Sequence, residues 1–266
     1  MEIVMEQTTG HQQHPPGASH SPAEPLGEAR EVEPGVVVER RSFMGLCSAG
    51  LLALRGPRPV FVAPKDEPHL SLEEFIGEVL PVARELKKKL EAKPQRSAED
   101  RYLHTLASFA VRLADVETPE LRPTTQGEGV GIGASWVGDP FVVLHWRMDP
   151  GASIRPHAHT YGNVCTVGLS GRARVRNFET VAAFDPKVKS AIALRQTVDQ
   201  FLGPRDINLV PLSHSFCHGF NAGPEGARGL DITTKLAERQ PTPYLALDES
   251  SMDRNSGLLR GTWVIE

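Results

Sequence analysis

Two histidines one residue apart, His157 and His159, stand in the stretch GASIRPHAHTYGNVCTVGLSG, Gly151 to Gly171. Residues i and i+2 of a strand share a face, so on a strand end both imidazoles point one way and Ala158 the other. Two imidazoles converging from one strand edge make a pair of metal ligands, and imidazole suits iron, zinc, copper and nickel alike. A third ligand has to come from elsewhere, and the candidates lie in VPLSHSFCHGFNAG, Val210 to Gly223: His214 and His218. His218 is preferred because it leads into Gly219, Phe220 and Asn221, a strand start after a turn. His214 follows Pro211 within that turn and is the fallback. An inward His218 turns its strand neighbour Cys217 outward.

Two further residues have competing readings. Without a bulge, Cys165 shares the parity of His157 and His159 and faces inward near the metal, as a fourth ligand, a cross-link partner or a small apolar core residue, the last being preferred. His145, between Leu144 and Trp146, reads as a sheet-face histidine, with pocket lining as the alternative. A Cys165 to Cys217 bridge is disfavoured, because strand parity points the two thiols to opposite sides.

The elements that must position these residues begin at Gly127, where Gly and Pro punctuate short apolar runs: Val130 to Val137, Phe141 to Met148, Val164 to Leu169, Ala173 to Phe178, Ile207 to Val210 and Gly229 to Thr233. Many short strands at roughly even spacing predict an antiparallel sandwich or barrel rather than a parallel sheet alternating with helices. Between Val181 and Leu202, Asp185 and Pro186 read as a turn and Ser190 to Gln196 as a helical turn or more. Ahead of the strands, Ser71 and Glu74 form a capping box for a helix with Leu72, Phe75, Ile76, Val79, Leu86 and Leu90 at helical spacing, kinked at Pro81. Ser97 and Asp100 open a second helix with Leu103, Leu106, Phe109, Ala110 and Leu113 on one stripe. Lys87, Lys88 and Lys89 read as a solvated face near a helix C-terminus.

Residues 1 to 36 mix Gln, His, Pro, Gly, Ser and Glu without apolar periodicity and read as a disordered arm; His11, His14 and His20 within it are read as part of a solvated tail rather than as a weak metal site. Arg40 and Arg41, then Ser42 and Phe43, then an apolar run from Met44 to Leu54, resemble a twin-arginine export signal. The alternative is a short buried helix behind two chance arginines in a cytoplasmic protein. Cleavage near Val62, Ala63 and Pro64 would remove Cys47. The resulting division is 1–36 arm, 37–64 signal, 65–122 helical layer, 123–240 barrel and 241–266 C-terminal extension.

The whole chain has 266 residues with 29 basic against 33 acidic side chains, a net charge of −4, and it lacks any dense Lys/Arg stretch, so nucleic acid is excluded as the main partner. With 3 cysteines there is no disulfide framework, and no run is long and apolar enough for an integral membrane helix.

The spacing Gly151, His157, His159, Gly171, then His218 with Asn221, resembles the two-motif pattern of cupins, small double-stranded β-helix barrels. Within that superfamily it is most similar to the thiol dioxygenases, in particular cysteamine dioxygenase and the plant cysteine oxidases. Pro211 before His218, Phe220 and Ala222 after it, and Leu230, Asp231 and Ile232 carry that likeness over Phe141 to Ile232. Many cupins carry a glutamate ligand where Asn163 and Val164 stand here, a choice that fits the all-histidine site of thiol dioxygenases. Ser215, Phe216 and Cys217 depart from the family's Gly-Asn-Ile, so contacts to substrate are expected to differ. Tyr244 is the candidate to reach back to the site from the C-terminal segment.

The resemblance implies an all-β cupin double-stranded β-helix (jelly-roll) barrel with an N-terminal helical layer, in which His157, His159 and His218 hold Fe(II) and a small thiol or an N-terminal-Cys peptide reacts with O2 to give a sulfinate. The rivals are a non-catalytic metal- or small-molecule-binding cupin, a three-histidine zinc site with water, and a cupin dioxygenase acting on carbon.

Overall fold

The computed structural model describes residues 68–92, 95–114, 116–182, 190–214, 216–238 and 242–264. The arm with its three histidines, the twin-arginine segment with Cys47, and the turn at Asp185 and Pro186 lie outside the described residues. Two helices come first, α1 (Leu72–Ala92) and α2 (Arg96–Ala110). The strands are β1 (Arg122–Pro123), β2 (Val130–Val137), β3 (Phe141–Met148), β4 (Ser153–Ala158), β5 (Gly162–Thr180), β6 (Ile192–Leu202), β7 (Ile207–Val210), β8 (Cys217–Lys235), β9 (Tyr244–Asp253) and β10 (Leu258–Val264).

Helix α1 starts on the capping box. Ser71 Oγ accepts from the Glu74 amide at 3.2 Å and Glu74 Oε2 accepts from the Ser71 amide at 2.8 Å, satisfying two end donors reciprocally. The helix continues through Pro81. Its buried positions Phe75, Val79, Ala83 and Leu86 recur every three or four residues and face α2 and the barrel. The start of α2 differs from the sequence expectation: Gln95 is its extended N-cap, without a side-chain cap bond, and Ser97 lies inside the helix.

Strands β5 and β8 build the barrel. They run antiparallel from the pair Gly162 and Lys235 to the pair Phe178 and Cys217, with register shifts between Gly168 and Ser170 and between Gly171 and Ala173. The outer halves join β3 and β7 in one sheet with β1 and β2; the other halves join β4 and β6 in a second sheet. At the crossing between sheets Gly171 and Gly226 have φ of 66° and 73°, and a Cβ on Gly226 would stand 2.6 Å from the Met148 carbonyl oxygen, so both turns need glycine. Two long strands that pass from one sheet into the other form the double-stranded β-helix of the cupin fold.

Three apolar cores follow from this arrangement. One lies between the helices and the first sheet, where Phe141, Val143, Cys165, Val167, Leu230 and Ile232 meet α1 and α2. A second lies between the sheets, with Trp146, Met148, Ile154, Val175, Leu202 and Phe220. The third lies under the β9–β10 hairpin and holds Ala158, Phe178, Leu194, Cys217, Leu245 and Trp263. That hairpin is hydrogen-bonded to β6 through β10 and to β4 through the pair His157 and Tyr244, so residues beyond 240 are part of the sheet and not a separate extension. Likewise Ile192–Leu202 is a strand, where a helical turn is expected over Ser190 to Gln196; pairing with β5 overrides the local preference of Ala193, Leu194 and Arg195. Among the described residues no helix is long and apolar enough to cross a membrane.

Candidate metal centre

Strand β4 brings His157 to the inner face and ends at Ala158, and His159 follows at the start of the turn into β5. Strand β8 supplies His218, which pairs directly across from His157. Next to it, Gly219 lies against Pro156, where a Cβ would come within 2.9 Å of the ring, so the absence of a side chain lets β4 and β8 close beside the ligands. The three rings form a near-equilateral triangle, with centroids 4.9, 4.8 and 4.8 Å apart, and one ligand atom from each lies within 4.8 Å of the others. Among the described residues no Asp, Glu or Cys joins this group.

The protonation states suit a metal. His157 Nδ1 lies 2.9 Å from the Arg155 carbonyl oxygen and donates to it, which leaves Nε2 as the nitrogen with a free lone pair. Burial holds His157 down to about 4, against the Arg155 carbonyl that favours the charged form. Burial, then the neighbouring imidazoles, depress His159 and His218 further. All three are therefore neutral and able to ligate at neutral pH. His159 Nε2 and His218 Nε2 stand 2.9 Å apart. Phe220 packs edge-on against His218 with centroids 4.7 Å apart, and Tyr244 stands 6.4 Å from His157 with the Arg155 guanidinium 4.2 Å over its ring.

The depressed imidazoles set an acid limit on the metal-free protein. An unfolded histidine titrates near about 6.5, so below that pH the unfolded chain takes up protons that the native site refuses, and stability falls as pH drops toward the folded value. Each site histidine should cost about 1.4 kcal/mol per pH unit between about pH 6.5 and about pH 5. Urea midpoints of the metal-free protein over that window check this, and a His157→Gln chain should lose less than the wild type.

The other candidates lie elsewhere. His214 does not reach the triangle: its Nδ1 is 2.9 Å from Ser213 Oγ and its Nε2 is 3.5 Å from Asp100 Oδ1. Cys165 is fully buried in the apolar core against the helices, the reading preferred for it, and lies away from the three histidines, contrary to the inward parity expected. The turn after β4 resets the face, so parity does not carry over from His157 into β5. Asn163 shares that outward face, and its Nδ2 donates to Glu99 Oε1 at 3.2 Å. Cys217 turns outward as expected, under the hairpin, and both thiols are free. His145 lies on the Phe141 and Val143 face of β3, where burial and then Arg228 pull it down to about 4.

Two acids are buried in the structure although no local feature of the sequence marks them as enclosed. Glu99, 2% exposed, accepts from the Leu212 amide at 2.6 Å and the Ser213 amide at 3.0 Å, tying α2 to the turn before His218. Asp231, on β8, accepts from Thr166 Oγ1 at 2.7 Å while burial pushes its carboxyl up to about 6. In sequence Glu99 reads only as a first-turn acid favoured by the helix dipole, with no sign that it is enclosed.

No family model and no curated protein matches this chain. Among solved structures it is similar to KdgF from Halomonas sp., at 16% identity over 46% of this chain and 89% of that one, with a TM-score of 0.34. It is also similar to the polyketide cyclase RemF from Streptomyces resistomycificus, at 20% identity over 51% of this chain and 83% of that one, with a TM-score of 0.36. A cupin-2 domain protein from Rhodospirillum rubrum is 14% identical over 48% of this chain and 78% of that one, with a TM-score of 0.34.

Proposed function

We propose that this chain is a metal-dependent cupin oxidoreductase, a non-haem iron thiol dioxygenase that adds both atoms of O2 to a thiol sulfur. The observation that carries the reading is the donor set: three neutral imidazoles converge, among the described residues no carboxylate joins them, and Asn163 is an amide turned away to Glu99. When bound, Fe(II) would supply an undiminished double charge that favours the thiolate form of a thiol, and a redox centre for O2. The protein's own part is to hold three donors on one side of that position, fix the His157 tautomer through Arg155, and keep water from its inner side with Phe220.

A pocket of about 340 Å³ opens on His159 and supports a narrower substrate class. Glu179 lines it and no Lys or Arg does among the described residues, although Glu179 also pairs with Arg195 at 3.3 Å. That lining suits a thiol carrying an ammonium group, such as cysteamine or an N-terminal-Cys peptide, over the carboxylate of 3-mercaptopropionate. Oxygen uptake by the iron-loaded protein should therefore be fastest with the two ammonium thiols. No uptake above the metal-free protein with any thiol would rule the reading out.

A further inference from the structure

We propose that Asp100, His214 and Ser213 form a proton relay at the mouth of the metal centre, with Ser213 Oγ as its substrate end; the proposal rests on the thiol reading above. Ser213 and His214 line the same pocket as His159, so a molecule held there meets the hydroxyl and the metal ligand together. Ser213 is exposed, whereas His214 is 7% exposed. The imidazole has a hydroxyl 2.9 Å from Nδ1 and a carboxylate oxygen 3.5 Å from Nε2. A carboxylate only accepts, so Nε2 carries the proton and Nδ1 is the basic nitrogen facing the Ser213 hydroxyl. The 3.5 Å spacing is long for a resting hydrogen bond, as is common in catalytic pairs before substrate arrives.

The turn that carries these groups is held in place. The Glu99 carboxylate takes the amides of Leu212 and Ser213, and the next residue, Asp100, faces the imidazole. Successive acids near the start of α2 thus hold the backbone of the turn and face its ring. None of the relay residues belongs to the metal group.

Small thiols titrate near about 8.5 and are mostly protonated at neutral pH. In the relay the S–H bond breaks with its electron pair left on sulfur. Its proton passes to Ser213 Oγ as the Ser213 hydroxyl proton moves to His214 Nδ1, and the imidazolium that results faces Asp100. No electrons change hands. Among the described residues, the charged and titratable groups near this turn include Asp100 beside the imidazole, Glu99 on the Ser213 amide, and Glu179 and His159 in the same pocket lining.

The test uses cobalt(II)-loaded full-length protein mixed with cysteamine in the absence of O2, following the thiolate-to-cobalt absorption by stopped flow. At pH 7, where about 3% of a thiol titrating near about 8.5 is thiolate, the band should form about thirtyfold more slowly in Ser213→Ala, His214→Gln and Asp100→Asn than in the wild type. Variant rates should converge on the wild-type rate as the pH approaches the thiol's own value of about 8.5, while cobalt content stays unchanged. Variants as fast as wild type at neutral pH, or slow by the same factor at every pH, would overturn the relay and leave the thiol reading standing. A wild-type protein that keeps its cobalt but shows no band at any pH would overturn the thiol reading and the relay with it.

Discussion

His157→Ala, His159→Ala and His218→Ala should each leave the purified protein almost free of transition metal, while His214→Ala keeps most of the wild-type content of about one ion per chain. Three donors share one ion, and losing one leaves two imidazoles with no third nitrogen to complete the set. Changes merely outside the ligand set typically cost about 10- to 100-fold in affinity, so removing a ligand should cost at least that. His214 differs because its ring is engaged by Ser213 and Asp100 rather than by the triangle. Elemental analysis of the four variants decides the point: full metal in His218→Ala with none in His214→Ala would reverse the third-ligand assignment.

The parts of this site that were legible in the sequence are those governed by local pattern. The runs Val130–Val137, Phe141–Met148 and Ile207–Val210 are bounded by Gly, Pro or charged turns and form strands with those limits. The His-x-His pair and the later His218 were legible for the same reason: each sits beside a strand end whose alternation fixes its face. What failed depended on distant pairing. Gly168, Gly171, Gly223 and Gly226 look like strand ends but lie within β5 and β8, where the ladder shifts register and residues 223–226 bulge out between Ala222 and Ala227 as the chain passes from one sheet into the other. The β9 residues Asp248, Glu249, Ser250 and Ser251 have little alternation of their own; Tyr244 to Asp248 are held by pairing with β10, and the next residues bulge before the ladder resumes at Asp253. Cys165 was assigned to the wrong face because parity was carried through a turn.

Glu99 and Asp100 show the same limit on the functional side. Two acids near a helix start are common and normally solvated, and nothing local marks one as enclosed against a loop more than a hundred residues later. Their partners, Leu212, Ser213 and His214, become visible only once α2 packs on the barrel.

The second large effect concerns the reaction. Neutral donors leave an Fe(II) ion its full charge for an incoming thiolate, whereas a carboxylate ligand would consume both charge and space, and none is present in the metal group. Holding thiol and O2 in one confined site removes much of the entropic barrier, and effective molarities for such placement reach about 10⁵ M or more. Loss of any one of the three ligands should therefore lower the rate of sulfinate formation by at least about a thousandfold, whichever thiol is used. The measurement that bears most directly on this is the product formed by the iron-loaded protein from cysteamine and an N-terminal-Cys peptide under ¹⁸O2. A sulfinate carrying two labelled oxygens on sulfur, absent in the His157→Ala, His159→Ala and His218→Ala chains, is the expected result; a wild-type protein with full iron and no doubly labelled sulfur product would contradict it.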